Sequence, residues 1–126
     1  MSIKLISTRN APAAIGPYSQ ASVFDRLVFC SGQIGLNPET GELSESDTAG
    51  QMEQVMVNLG EVLKAAGSDW DRVLKCTIYL IDMKEFAAVN EVYGRYFSEE
   101  APAREAVAVA ALPKGARVEV SCIAHV

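Results

Sequence analysis

The sequence has few of the residues on which metal, nucleic-acid and membrane sites depend. It contains one histidine, His125, and its three cysteines lack CxxC spacing, so neither a metal site nor a Cys–His nucleophile pair is expected. Eleven Lys and Arg against sixteen Asp and Glu give a net charge of -5, which disfavours nucleic acid as a partner. Because no apolar run is long enough to span a bilayer or to act as a secretion signal, we expect a cytoplasmic protein without membrane partners.

The composition is that of a protein with a substantial core. With 126 residues, 49% hydrophobic and 21% charged, the chain is expected to fold as a single domain over residues 1–126. Cys30, Cys76 and Cys122 each lie in an apolar, strand-like run. This placement favours buried thiols that pack in the core over reactive ones.

The first part of the chain predicts strands followed by one helix. The runs IKLIS and LVFCSGQIG are β-like and are separated by a loop containing Pro and Gly. From about residue 46 to 66, apolar side chains recur every three or four positions, which predicts a helix ended by a left-handed Gly67. The segment 73–81, VLKCTIYLI, predicts a strand that is buried on at least one face.

The second part predicts another helix and two final strands. Asp82 and Glu85 resemble an N-terminal capping pair, and the apolar stripe after them extends to Phe97, so this helix should end before Pro102. The runs REAVAVAAL and ARVEVSCIAHV predict strands, and the Pro-Lys-Gly between them predicts antiparallel neighbours.

This order of elements predicts an α+β fold with both helices packed on one face of the sheet. The strand at 105–111 alternates valine with alanine, so neither of its faces is polar enough to face water. Because two helices cover only one face, we expect a second copy of the chain to cover the other.

Arg104 and Glu119 are the residues whose charge is hardest to explain. A guanidinium at the start of an apolar strand needs an anion if it is desolvated: either an internal carboxylate or the carboxylate of a ligand. Glu119 lies on the polar alternation of the last strand. It is either a solvated surface residue or, beside an oligomer cleft, a group that orients or activates water.

Two loop residues are further candidates. Tyr18 follows the Gly16–Pro17 turn, where its ring either walls a pocket and donates a hydrogen bond or only anchors the loop. Ser31 lies in CSGQIG, whose two glycines are too weak a signal for a phosphate-binding loop.

Together these segments resemble one family. GPYSQA, SGQIG followed by NPETGEL, VNEVYGRYF, PAR and ALPKGARVEV are similar in order and spacing to the reactive-intermediate deaminase (Rid, formerly YjgF) family, over essentially the whole chain. The resemblance implies a chorismate-mutase-like fold, a mixed sheet backed by two helices, in a homotrimer with a cleft at each subunit interface. It also implies hydrolysis of reactive enamines and imines, of the 2-aminoacrylate and 2-iminopropanoate type, to 2-keto acids and ammonia without a metal or other cofactor.

The resemblance also implies roles for individual residues. Arg104 matches the arginine that clamps the substrate carboxylate, and Glu119 matches the acid proposed to position the attacking water. Tyr18 and Ser31 match pocket residues, and Asn90 matches the asparagine that borders the cleft.

Two departures from the family pattern leave other functions open. Ala106 replaces a cysteine often found two positions after the arginine, and Ser121 replaces a carboxylate common two positions after the glutamate. One alternative is a non-catalytic trimer that binds small carboxylates at Arg104. An endoribonuclease is disfavoured by the acidic charge balance and by the absence of a second histidine.

Overall fold

The computed structural model describes residues 2–97 and 99–126, which form six strands and two α-helices. In chain order these are β1 (Lys4–Ile6), β2 (Ala21–Phe24), β3 (Leu27–Gln33), α1 (Thr48–Ala65), β4 (Val73–Leu80), α2 (Phe86–Gly94), β5 (Ala103–Ala108) and β6 (Val118–His125). Short 3-10 turns lie at Trp70–Arg72, Met83–Glu85 and Pro113–Gly115. No helix in the described residues is both long and apolar enough to cross a membrane.

The strands form one mixed sheet in the order β1-β2-β3-β6-β4-β5. Strands β4 and β5 are parallel, and the other neighbouring pairs are antiparallel. The prediction that the last two strands are neighbours is wrong, because β4 lies between them. The end of β4 is held from both sides: Val109 N donates to Leu80 O at 2.7 Å, and Ile81 N donates to Arg117 O at 3.3 Å. The Pro-Lys-Gly segment therefore belongs to a crossing connection and not to a hairpin.

Both helices pack on the same face of the sheet, which confirms the predicted arrangement. One alternation of β6 is buried and the other is only partly covered. The buried side chains of the sheet and both helices form one cluster. Its fully buried members include Met52, Val55, Met56, Leu59, Val62 and Leu63 of α1, Ile78 and Leu80 of β4, Val89 of α2, and Val118 and Val120 of β6.

The helix ends follow local backbone chemistry. Gly67 has the predicted left-handed φ of 85°, and its N–H donates to Lys64 O at 3.0 Å. The second helix is shorter than predicted, because α2 ends at Gly94. Beyond it, Tyr96 N donates to Tyr93 O at 3.1 Å, a tighter turn that releases the following aromatic residues from the helix.

The three thiols lie in a row across the sheet. Cys122 of β6 is in register with both Cys30 of β3 and Cys76 of β4, and all three are buried. Burial raises the pKa of the Cys76 thiol to about 11. The Cys76 thiol therefore stays protonated, and all three cysteine side chains are buried in the core, as the sequence predicted.

The predicted capping pair is only half formed. Asp82 Oδ1 accepts from Lys84 N at 3.0 Å, but the Glu85 carboxylate binds Arg117 and Thr48. Arg117 Nε also donates to Thr48 Oγ1 at 2.8 Å. This network joins the starts of both helices to the residue before β6. The hydrogen bonds from Arg117 and then Thr48 lower the pKa of Glu85.

We expect Glu85→Gln to reduce stability at pH 7 and to have little effect near pH 3. Because the pKa of Glu85 is lowered in the folded chain, its contribution is present above the unfolded value of about 4.3 and disappears as pH falls through the folded value. Urea unfolding followed by Trp70 fluorescence at both pH values measures this. The matched control is Glu42→Gln, since Glu42 takes part in no salt bridge of the described residues. An equal loss at both pH values would contradict the expectation.

Candidate active site

Arg104 is held against one face of α2. It lies in β5 in register with the buried Cys76, so its side chain projects from the helix-covered face at the edge of the sheet. The guanidinium carbon is 4.9 Å from the centre of the Tyr93 ring and 5.2 Å from that of Phe86. Arg104 Nη1 donates to Asn90 Oδ1 at 2.6 Å. Two aromatic rings and one amide thus fix the plane of the cation.

This arrangement leaves most of the guanidinium available to a ligand. The salt bridges of the described residues do not include Arg104, so the alternative of an internal ion pair is not realised there. The adjacent Glu105 points to the opposite face and pairs with Lys75 at 3.3 Å. Because Asn90 accepts from only one of five N–H donors, the rest can bind a carboxylate in a bidentate manner.

The aromatic contacts of Arg104 were not predicted from the sequence, although the spacing of the residues that make them indicates a shared helix face. Phe86, Asn90 and Tyr93 are spaced at i, i+4 and i+7, which places them on one face of a helix. The Tyr93 hydroxyl is buried and has no hydrogen-bond partner among the described residues. Burial, with a smaller contribution from Cys76, raises the pKa of Tyr93, so the ring stays neutral beneath the cation.

Glu119 lies on the other face of the sheet. It is in register with Tyr79 of β4, and positions 76 and 79 of that strand point in opposite directions. The carboxyl group is partly buried, and this desolvation raises its pKa. The side-chain hydrogen bonds of the described residues provide no donor to it, so its neutral form persists to a higher pH than that of an exposed glutamate.

Glu119 and Tyr18 line the same cavity, whose volume is about 260 Å³. Ile15, Ile34 and Lys114 also line it. The Tyr18 side chain is half exposed, at 53%. A larger concavity of about 540 Å³ lies along the N-terminal segment beyond Tyr18, but neither Glu119 nor Arg104 lines it. The smaller cavity is therefore the one with candidate chemistry.

Ser31 supports the loop that carries Tyr18. Its Oγ donates to Ser19 O at 2.6 Å, and its backbone N–H donates to Gln20 O at 3.0 Å. Within one chain it therefore fixes the position of the tyrosine loop, and it does not line the cavity beside Glu119.

The candidate residues thus form two half-sites in a single chain. Arg104 and Asn90 lie on the helix-covered face at the β5 edge, whereas Tyr18 and Glu119 lie on the opposite face. A single chain does not bring Arg104 and Glu119 to one small ligand, since β4 and the thickness of the sheet separate them. No group of three or more His, Cys, Asp or Glu in the described residues is arranged to hold a metal ion.

Comparison with known proteins identifies the family. The model of the family described as Endoribonuclease L-PSP matches residues 8–126. The chain belongs to this family, also called Rid. This confirms the resemblance found in the sequence.

Named relatives and solved structures match this Rid protein over nearly its whole length. The 2-iminobutanoate/2-iminopropanoate deaminase of Mus musculus is 53% identical over 96% of this chain and 90% of its own. The structure of RidA from an Antarctic Psychrobacter has a TM-score of 0.94 at 46% identity, covering 98% of this chain and 99% of that one. The structure of Escherichia coli TdcF with bound serine has a TM-score of 0.93 at 39% identity, covering 98% of this chain and 98% of that one.

We expect Phe86→Leu to loosen the Arg104 guanidinium, because one of its two aromatic contacts is lost. The order parameter of Arg104 Nε–Hε, measured by ¹⁵N relaxation, should fall. Tyr93→Phe is the matched control, since it keeps the ring and removes only the hydroxyl. An unchanged order parameter in Phe86→Leu would show that Tyr93 and Asn90 hold the cation without Phe86.

Proposed function

We propose that this Rid protein hydrolyses small reactive 2-imino acids and their enamine tautomers to 2-keto acids and ammonia. The deaminase function predicted from the sequence is confirmed at the level of the family by relatives named 2-iminobutanoate/2-iminopropanoate deaminase. The observation that carries the proposal for this chain is the guanidinium of Arg104. It is fixed by Phe86, Tyr93 and Asn90 without a carboxylate partner in the described residues.

The chemistry needs few groups. Arg104 binds the substrate carboxylate, and a protonated imine is already electrophilic at C2. Glu119 orients a water molecule and accepts its proton as the oxygen bonds to C2. The same proton then returns to the nitrogen. As the C–N bond breaks and ammonia leaves, Glu119 accepts the remaining hydroxyl proton, so that C2 becomes the carbonyl of a 2-keto acid. Placing water and imine in contact contributes several kcal/mol without a cofactor.

The two half-sites support a homo-oligomer in which Arg104 of one chain meets Glu119 of the next. The face that carries Glu119 also exposes apolar side chains, among them Leu5 at 66% and Phe29 at 44%. Covering them with another copy of the chain removes this surface from water and brings the half-sites together. We propose three subunits, the assembly that the Rid resemblance implies, with Tyr18 walling the cleft and Asn90 at its border.

We expect Arg104→Ala to lower kcat/KM for 2-iminopropanoate by roughly 30-fold to several thousand-fold, the equivalent of about 2–5 kcal/mol for losing one partner of a desolvated charge pair. The imine is generated in situ and its decay is followed. Arg95→Ala is the control, because Arg95 is exposed and its ion pairs within the described residues are surface pairs with Glu53 and Glu91. Equal rates for Arg104→Ala and the parent would exclude the proposed role.

A second function, binding of small carboxylates without catalysis, uses the same Arg104. Calorimetry with pyruvate separates the two. Binding that depends on Arg104, with no acceleration of imine decay by the parent, would favour the binding protein over the deaminase.

We expect mixed chains to restore activity if the site is shared between subunits. Arg104→Ala and Glu119→Gln should each keep only a small residual activity alone, but about a quarter of the interfaces in a randomly assorted mixture keep both residues. The proteins are mixed in mild denaturant, returned to buffer and assayed, and light scattering gives the number of chains. A mixture as inactive as its components, with exchange shown by mass spectrometry, would place both residues in one subunit's site.

The remaining expectations are a cytoplasmic location and the absence of a cofactor, of nucleic acid and of a membrane partner, and they stay predictions. The description of the family model includes an endoribonuclease activity. In this chain the single His125 has its Nδ1 3.0 Å from Val126 O, and the net charge is -5. These features do not favour RNA cleavage.

A further inference from the structure

The strand opposite Glu119 contains a β-bulge. Cys30 of β3 is in register with Cys122 of β6, whereas Gln33 is in register with Val120. Three steps along β3 therefore match two along β6, so Ser31 and Gly32 together oppose one residue, Ser121. Bulges of this kind occur beside active sites, where they redirect side chains.

Gly32 leaves the space that the Glu119 side chain occupies. A Cβ at position 32 would be 2.3 Å from Glu119 Oε2, 2.8 Å from Cδ and 3.0 Å from Cγ. The three nearest atoms thus all belong to Glu119. The backbone does not require glycine at this position, since the left-handed glycines are Gly16, Gly41, Gly67 and Gly115.

We propose that Gly32 is a positioning residue that sets the place of the Glu119 carboxylate in the cleft, an inference that rests on the proposed function. With no side chain at the bulge, the carboxylate lies directly against β3 and within the cavity that it shares with Tyr18. A water molecule held by Glu119 then has a defined position relative to a substrate that enters the cleft.

Adding a methyl group at position 32 displaces Glu119 more readily than it disturbs the fold. The contacts of the new Cβ are the far end of a flexible side chain and not backbone. Rotation of the glutamate relieves the overlap by moving its carboxylate outward by about 1 Å. A misplacement of that size reduces turnover by up to about 100-fold.

The first test compares Gly32→Ala with Gly94→Ala, a glycine whose added Cβ would meet no atom within 4 Å. We expect Gly32→Ala to lower kcat for 2-iminopropanoate by about 10- to 100-fold with little change in KM, since Arg104 still binds the substrate carboxylate. Gly94→Ala should match the parent. Parental kcat in Gly32→Ala, or a rise in KM alone, would overturn the proposal.

The second test asks whether the loss acts through Glu119. In a Glu119→Gln background, Gly32→Ala should cause no further loss of turnover, whereas multiplying effects would overturn the proposal. If Gly32→Ala alone does not fold, Gly32→Ala/Glu119→Ala should fold, because the clashing atoms are gone. Failure of that double variant to fold would place the defect in the backbone and overturn it as well.

A third measurement does not depend on catalysis, so it tests the role of Gly32 separately from the proposed imine hydrolysis. In a ¹³C-carboxyl NMR titration, the pKa of Glu119 should fall in Gly32→Ala as the group moves toward water, and in Gly94→Ala it should not. If the parent fails to hydrolyse the imine, the proposed function is lost, but this titration still decides whether Gly32 positions Glu119. An unchanged titration and chemical shift would overturn that role.

Discussion

A cation fixed without a counter-ion among the described residues is the constraint on which this candidate site depends. Arg104 lies on the edge strand of the sheet, where Phe86 and Tyr93 hold the guanidinium plane and Asn90 accepts one of its hydrogen bonds. Aromatic faces attract the charge but do not neutralise it. The positive charge of Arg104 can therefore be neutralised by a bound ligand, and a small carboxylate has the matching charge and geometry.

Two glutamates of the same chain show how a partner changes the behaviour of a carboxyl group. Glu85 binds Arg117 and Thr48, and its pKa is lowered because the charged form is hydrogen-bonded. Glu119 has no such donor in the described residues, and desolvation alone raises its pKa. The first glutamate stabilises the junction of two helices and a strand. The second is suited to exchange a proton with water, since its charged form is held less firmly.

Much of the architecture was predictable because it depends on neighbours in sequence. The spacing of apolar residues indicated α1, and a glycine in the left-handed region ended it at Gly67. The alternation along β6 correctly assigned Glu119 to the face away from the core. The sequence predicted too late an end for α2, because its apolar stripe continues to Phe97. In the structure the helix ends at Gly94, where the backbone changes to a tighter turn.

The sequence by itself determined the order of the elements, the buried thiols and the residue types of the candidate site, because periodicity and side-chain chemistry are local properties. Only the tertiary structure decided that β4 lies between β5 and β6, since strand pairing joins segments distant in sequence. The same pairing places Arg104 and Glu119 on opposite faces, and the register of β3 with β6 brings Gly32 under the glutamate. These relations depend on contacts across the sheet, which no single run of residues contains.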